Sequence, residues 1–529
     1  MPPAQSLIRP YTFILCSALA VILFLTLAPF NFVFSTQITL TQLINRFDLA
    51  LPTNEGADIL VNVVIFAPLG FVLTHFLQHA WNKRVSLLGA IILCFLISLT
   101  IELLQIFLPR TPAIRDLLTN SLGGIVGYSV YYLGGRQLLA LILKYIPIAL
   151  WQALVLVGLL LYSALILFLA TRLRSLDLQN WQGDYRLMFG NELNGNFPWE
   201  GQVAEFYMTN QVMTTEEIET VLLDNRGPHN TDMFVAHYQF GQNNFADQAR
   251  HLPQLRWRGV PTDNPTRDNF VAVGANSWLQ TESVATYLSD SVKENSTLTF
   301  GIIAATNAVW QPGPGRIVSM GKDSQYRNFM VGQIGPHLAI RLRTTASGVN
   351  GTMPELIIPH VFSDKEPHHI VVTYDGHILK AYVDDPQQVY AFHTTPEVQF
   401  MRFVFLIPRW HWSYYLTPGG MLMHRLLYAL LVFAAWGLLL SLCSHLIRMS
   451  SRIRWYWFII GSLIYPLTLE TLYANSGGFI FRIQEFVLSL ICVAIFTMIG
   501  RHLWMWVFPA TIAKNSDRPF HIPKLTVRS

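Results

Sequence analysis

Eight runs of about twenty mostly apolar residues set the first limit on what this chain can become. They lie near 12–34, 57–78, 86–108, 116–135, 146–170, 420–447, 455–473 and 484–509. A run of that length crosses a bilayer as a helix, because a helix satisfies its own backbone polar groups in hydrocarbon. The fourth run is the weakest, since glycines dilute it. The first runs too long for a signal peptide and has no small-residue cleavage site after its apolar core, so it reads as a retained span. A long polar and aromatic segment separates the fifth run from the sixth. Composition agrees with two domain types: the chain is 52% hydrophobic and 13% charged, against roughly 25% charged residues in soluble globular proteins.

The net charge is +4 and the basic residues are scattered, so no basic stripe points to nucleic acid. The four cysteines, Cys16, Cys94, Cys443 and Cys492, all fall in apolar runs. They predict neither a disulfide framework nor a thiolate metal site. Lys and Arg favour one orientation. With the N-terminus inside, the cytoplasmic segments hold Arg9, Lys83, Arg84, Arg136, Lys144, Arg448, Arg452 and Arg454, then Lys514, Arg518, Lys524 and Arg528. The short outer loops hold Arg46, Arg110, Arg115 and Arg482. This asymmetry predicts both termini inside and the polar middle outside.

The third run carries Glu102 and Gln105 before it breaks at Pro109, and Arg110, Arg115, Asp116 and Asn120 follow closely. In the predicted orientation Glu102 and Gln105 sit near the outer end of the third span. Asp116 and Asn120 open the fourth at the same level, and Asp58 and Asn62 open the second. The spacings i,i+3 and i,i+4 put each pair on one helix face. Gly123 and Gly127 continue the face of Asp116 and Asn120 as a small-xxx-small pattern, which lets helices approach closely. An ionisable group in a span costs on the order of 3 kcal/mol, so such groups are expected in the bundle interior. Glu102 would pair with Arg110 or Arg115. A structural account, in which these groups only join the helices, stands beside a functional one.

The segments DILVNVVIFAPLGFVL (58–73) and SLTIELLQIFLPRTPAIRDLLTNSLGGIVGY (98–128) strongly resemble the VanZ-like membrane family. The resemblance covers about 1–135 and rests on Asp58, Asn62, Phe66, Pro68, Gly70, Glu102, Gln105, Pro109, Arg115, Asp116, Asn120, Gly123 and Gly127. The spacer RTPAI departs from the family pattern and leaves the role of each arginine open. The family is linked to resistance to the glycopeptide teicoplanin, and its chemistry is not established. The resemblance therefore implies a bacterial inner-membrane protein of the cell envelope, and no particular reaction. Near the other end, PLTLETLY (466–473) resembles SLTIELLQ (98–105), with Glu470 in the place of Glu102. A degenerate second copy and a coincidence in leucine-rich sequence both account for it.

Residues 296–405 read as short glycine-bounded strands, with a tight hairpin at Asp375-Gly376. HHIVVTYDG and GRIVSMG…YRNFMVGQ resemble the LamG/concanavalin A-like jelly roll, as does the earlier block 180–222. In that family such a block comes last, so the resemblance implies a sandwich permuted in strand order over about 175–410. Thr214 and Glu217 fit a capping box. Adjacent strand residues His368 and His369 face opposite ways and cannot chelate one ion together. Jelly rolls of this type often bind carbohydrate, some with calcium, so calcium is the one cofactor the resemblance admits. The ligand candidates are Asn191, Glu192, Trp199, Trp278 and Trp310, each equally readable as core or turn.

The expected architecture is a membrane α-helical bundle of about eight spans with an inserted all-β jelly roll. Residues 1–145 form the VanZ-like four-span domain, 146–170 the fifth span, 171–416 the extracytoplasmic domain, 417–510 a three-span bundle and 511–529 a cytoplasmic tail. Three functions remain open. The first is an envelope protein that recognises a glycan. The second is a membrane enzyme acting on a lipid-linked or envelope glycan, with Glu102 or Asp116 as acid/base and Arg110 or Arg115 holding phosphate. The third is a transporter. No nucleophile constellation, metalloprotease motif or phosphate loop appears in the sequence, which favours the first; the partners expected are lipid and envelope carbohydrate. Reporter fusions after Arg84 and Ser450 should report cytoplasm and one near Asn243 an outer location. A cytoplasmic signal at Asn243 would reverse the orientation.

Overall fold

The computed structural model describes residues 5–28, 30–33, 56–78, 81–108, 112–173, 176–228, 233–241, 244–261, 266–267, 269–405, 413–417, 422–447, 449–477 and 481–508. The helices of the first bundle are α1 (Gln5–Leu27), α2 (Gly56–Leu77), α3 (Lys83–Gln105) and α4 (Ile114–Val130). A π turn at Tyr131–Gly135 leads from α4 into α5 (Arg136–Tyr145), and α6 (Ile148–Ala170) follows. The β region contains α7 (Thr215–Leu223) and α8 (Thr286–Asn295), and α9 (Pro396–Phe405) follows its main strands. The last bundle holds α10 (Leu422–Leu446), α11 (Ser451–Gly477) and α12 (Ile483–Val507).

Seven of the described helices are long and apolar enough to cross a membrane: α1, α2, α3, α6, α10, α11 and α12. The expected span at 116–135 is helical but does not join them. Its α-helical run is 17 residues, short of the ~20 that a span needs, and Gly123, Gly124 and Gly127 lower its hydropathy. The same glycines explain its place. An added Cβ on Gly123 would stand 2.6 Å from Phe66 Cβ, one on Gly70 2.6 Å from the Gly124 carbonyl, and one on Gly127 would collide with the backbone of Ala67 and Phe71. α2 and α4 thus touch backbone to backbone, the close packing that drives helix association where no hydrophobic effect operates. α6 packs with the last bundle: the Tyr162 hydroxyl donates to the Leu431 carbonyl at 2.8 Å and the Tyr465 hydroxyl to the Ser163 carbonyl at 3.2 Å.

The β region is a sandwich of two sheets. One runs, edge to edge, through Ser413–Tyr415, Glu355–Ile358, His337–Leu342, Arg327–Gly335, Gln311–Gly321, Arg186–Phe189, Ser277–Thr281 and Leu255–Gly259. The other runs through Asp385–His393, Ile378–Val383, His368–Tyr374, Leu298–Thr306, Gly201–Thr209, Phe270–Val273 and Thr266–Arg267, and Ala236–Gln239 also pairs with Gly201–Thr209. The pairings are antiparallel, save the parallel pair of Glu355–Ile358 with Ser413–Tyr415. The strands of the 180–222 block sit inside both sheets, not beside them. Arg186–Phe189 lies between Gln311–Gly321 and Ser277–Thr281, and Gly201–Thr209 between Leu298–Thr306 and Phe270–Val273. One apolar core extends from Leu178 to Leu416 and includes Phe189, Phe206, Phe300, Phe329 and Val372.

The Asp375-Gly376 hairpin joins two paired strands, with Gly376 at φ 94°. The Thr214–Glu217 capping box is formed in both directions and starts α7. His369 is buried and bonds Tyr207, while His368 bonds Asp384 on the other face. Burial pushes the His369 pKa down to about 4.

Gly127→Ala should lower stability by about 1–3 kcal/mol, the usual cost of overpacking, read as a fall in the thermal midpoint in detergent. Gly158→Ala on α6, where nothing lies within 4 Å of the added carbon, should leave it unchanged or slightly raised. Equal midpoints for both variants would refute the close α2–α4 contact.

Candidate functional site

The polar residues of the first bundle meet at the end of α3 and the start of α4. Ala113 is the N-cap of α4, and no side chain of that segment caps the helix from within. The acceptor comes from the preceding helix: the Ala113 N–H donates to Glu102 Oε2 at 2.8 Å. Glu102 is 1% exposed. A carboxylate suits this place, since helix starts carry unsatisfied N–H groups and partial positive charge. Around it, the Asn62 amide donates to Asp116 Oδ1 at 3.0 Å and to the Thr119 hydroxyl at 3.2 Å. Gln105 donates to the Thr26 carbonyl at 3.0 Å, and Asn120 to the Ser98 hydroxyl at 2.8 Å. Arg115 Nε lies 3.4 Å from Asp116 Oδ1, with the two side chains 21% and 30% exposed. Glu102, Gln105 and Asn120 are thus buried within the bundle, and Arg115 and Asp116 form its partly open mouth. Arg110 lies outside the described residues, as does the side chain of Asp58.

Sequence reasoning missed three contact sets. Asn31, just after α1, donates its amide to the Tyr415 carbonyl at 3.1 Å and accepts from the Tyr415 N–H at 2.5 Å. That pair ties the first bundle to the edge strand of the sandwich. Arg482 holds both oxygens of Glu397, at 2.7 and 2.8 Å, and Glu470 Oε1 at 3.0 Å. That set ties α9 to the last bundle. Glu470 Oε2 also stands 3.5 Å from the Arg482 N–H at the start of α12, much as Glu102 meets Ala113. At the far end of the first bundle, His75 Nδ1 lies 3.2 Å from the Tyr131 hydroxyl, Gln78 bonds the same oxygen, and Tyr11 stacks on His75. The signal for this last group was His75 and Gln78 at i,i+3 in an apolar run.

The ligand candidates of the sandwich separate clearly. Trp199 is a core residue, fully buried, with Nε1 donating to Gln333 at 2.9 Å. Asn191 shapes its own loop, since its Oδ1 accepts from the Glu192 and Phe197 N–H groups. Glu192 is buried with Arg316 and Arg327 at 3.7 and 3.6 Å, too far for hydrogen bonds. Burial therefore dominates: it pushes Glu192 above the usual carboxylate range and, with the charge of Arg327 and Arg341, Arg316 down to about 8. Trp278 is half-buried against Gly195. Trp310 alone of the three tryptophans is presented to solvent, 66% exposed. Among the described residues no three His, Cys, Asp or Glu side chains gather as a metal ion would require.

Fold and site together define a multi-pass membrane protein with a β-sandwich inserted between two of its helices. Residues 13–135 match the family model described as VanZ/LLP1, so the segment carrying Asn62, Glu102, Gln105, Arg115, Asp116 and Asn120 is VanZ-like. No curated protein and no solved structure matches the chain.

Removing the carboxylate separates structural from chemical work. Glu102→Ala leaves the Ala113 N–H without this acceptor and should cost about 1–3 kcal/mol. Glu102→Gln keeps an acceptor and should stay near wild-type stability. Thermal unfolding in detergent reads both, and two variants equally destabilised would contradict a capping role.

Proposed function

We propose that the protein is a bacterial envelope recognition protein: its sandwich reads a carbohydrate outside the cytoplasm, and its VanZ-like bundle anchors that sandwich and responds to it. The observation that carries this is the double tie between sandwich and membrane helices, Asn31 to Tyr415 and Glu397 to Arg482. A domain bonded to both bundles is held at a fixed attitude, as a receptor head is and a tethered passenger is not. The Lys/Arg asymmetry supports the outer location. The LamG/concanavalin A-like motifs support the jelly-roll identity. The central place of Arg186–Phe189 and Gly201–Thr209 in the two sheets supports the permuted strand order. The VanZ/LLP1 likeness suggests envelope glycan handling, with glycopeptide resistance as its setting.

Trp310 is the contact surface this reading assigns, because a sugar's apolar face stacks on an exposed indole. The ring lies beside Gly335, whose added Cβ would stand 3.3 Å from Trp310 Nε1, so bare backbone flanks it. The purified full chain on a glycan array should bind a bacterial envelope glycan. Trp310→Ala should then weaken binding by about 1 kcal/mol, roughly fivefold. No binding to any envelope glycan would overturn the proposal.

One observation favours a second reading, a membrane enzyme acting on a lipid-linked glycan. Arg115 and Asp116 are paired, partly exposed, and open beside buried Glu102. Loss of a measured turnover in Asp116→Asn, with binding on the array intact, would move the conclusion to that reading.

A further inference from the structure

α5 contains no buried residue, yet most of it is apolar. Leu138, Leu141 and Tyr145 are 58%, 53% and 67% exposed. At 3.6 residues per turn, Arg136, Ala140 and Lys144 form one stripe with Gln137 beside it, and Leu138, Leu141, Ile142 and Tyr145 fill the other side. Such a face is not left in water. Breaks at both ends release α5 from its neighbours. Gly134 in the π turn adopts φ 127°, a left-handed value that glycine tolerates, and Pro147 is the N-cap of α6. The helix therefore connects α4 to the membrane-length helix α6 at the end of the bundle opposite the Asn31–Tyr415 tie.

Charge at this end is one-sided. Lys83 and Arg84 open α3 there and are exposed. The Tyr128 hydroxyl donates to the Lys83 carbonyl at 3.2 Å, and Lys83 Nζ stands 5.1 Å over the Tyr132 ring. These contacts hold the start of α3 against the turn that leads into α5. The sequence has no Asp or Glu between Asp58 and Glu102, nor between Asp116 and Asp177. Lys83, Arg84, Arg136 and Lys144 therefore face no carboxylate from α2, α3, α4, α5 or α6 at this level.

We infer that α5 lies in the plane of the membrane as an interfacial helix, and that its Arg136–Lys144 stripe, with Lys83 and Arg84, binds the headgroup phosphates of an anionic-phospholipid leaflet. The apolar face sinks to the acyl boundary while the cations reach outward along their own stems. Tyr128, Tyr132, Tyr145 and Trp81 supply the amphipathic rings that favour this depth. Each Lys or Arg near an anionic surface adds roughly a fivefold preference.

The full chain, purified in detergent and incubated with an equimolar mixture of phosphatidylcholine and phosphatidylglycerol, tests the charge. Native mass spectrometry counts the lipid that stays bound. Phosphatidylglycerol should be retained preferentially, and the combined change Lys83→Gln, Arg84→Gln, Arg136→Gln and Lys144→Gln should bring the two lipids close to parity. Equal retention by the wild type, or an unchanged preference in the variant, overturns the inference. A second measurement tests the placement without altering a charge. Spin labels at Leu141→Cys or Ala140→Cys, with the four native cysteines changed to Ala, are read in bilayers. The label at 141 should meet dissolved oxygen, and the label at 140 an aqueous nickel reagent. If both meet the aqueous reagent, α5 does not lie in the interface; this pair also decides the matter should the fourfold variant fail to fold.

Discussion

A helix that starts near hydrocarbon has N–H groups that water cannot reach, and the rest of the first bundle is arranged around that fact. α4 brings no cap of its own, and Glu102 of α3 supplies one at 2.8 Å. The energies are comparable. An unsatisfied N–H in lipid costs several kcal/mol, and a glutamate at such a depth on the order of 3 kcal/mol. Brought together with the positive end of the helix dipole, the two penalties offset each other. This contact fixes the level of α4 against α3. The glycines of α4 then let it settle on the backbone of α2, and the Asn62–Asp116 bond closes the same layer.

The two ties to the sandwich differ in kind. Asn31 offers an amide to the backbone of Tyr415 as a neighbouring strand would, accepting from its N–H and donating to its carbonyl. The edge strand Ser413–Tyr415 thus has one of its open positions occupied by the membrane domain, which protects an edge that could otherwise pair with another chain. The Arg482 tie is charged, with two glutamates from separate helices on one guanidinium. Its fork geometry gives orientation as well as attraction.

The spans, the polar middle, the hairpin at Asp375-Gly376 and the Thr214 capping box were legible because each rests on residues close in sequence. Six of the seven apolar helices outside the glycine-rich run needed only length and hydropathy, and the seventh only the lack of a cleavage site. Helix geometry also put Asn62 and Asp116 side by side, and the two side chains bond at 3.0 Å. The bond from the Ala113 N–H to Glu102 was not legible, because it depends on how the chain turns after α3; Arg110, one of the two arginines expected beside Glu102, lies outside the described residues. Asn31 and Glu397 carried no local signal at all, because their partners lie 384 and 85 residues away. Trp199 and Trp310 look alike in sequence, and only the packing of two sheets makes one a core residue and leaves the other exposed. Arg136 and Lys144 read only as the charges of a cytoplasmic segment between spans, and the helix at Arg136–Tyr145 shows only in the structure, between the breaks at Gly134 and Pro147.

The Asn31 tie places the sandwich close in the chain to the contacts around the polar level. Two residues beyond Asn31, the Val33 N–H bonds the Phe107 carbonyl at 2.8 Å. Phe107 belongs to the short segment between Glu102 and Ala113, the two ends of the capping bond. Gln105, in the last turn of α3, holds the Thr26 carbonyl just before the same loop. The edge strand at Tyr415, the segment after α1 and the end of α3 are therefore joined by consecutive hydrogen bonds. Backbone groups and side-chain amides make these bonds within a few residues of one another. The capping bond is buried, so this chain of contacts ends inside the bundle and not at its surface.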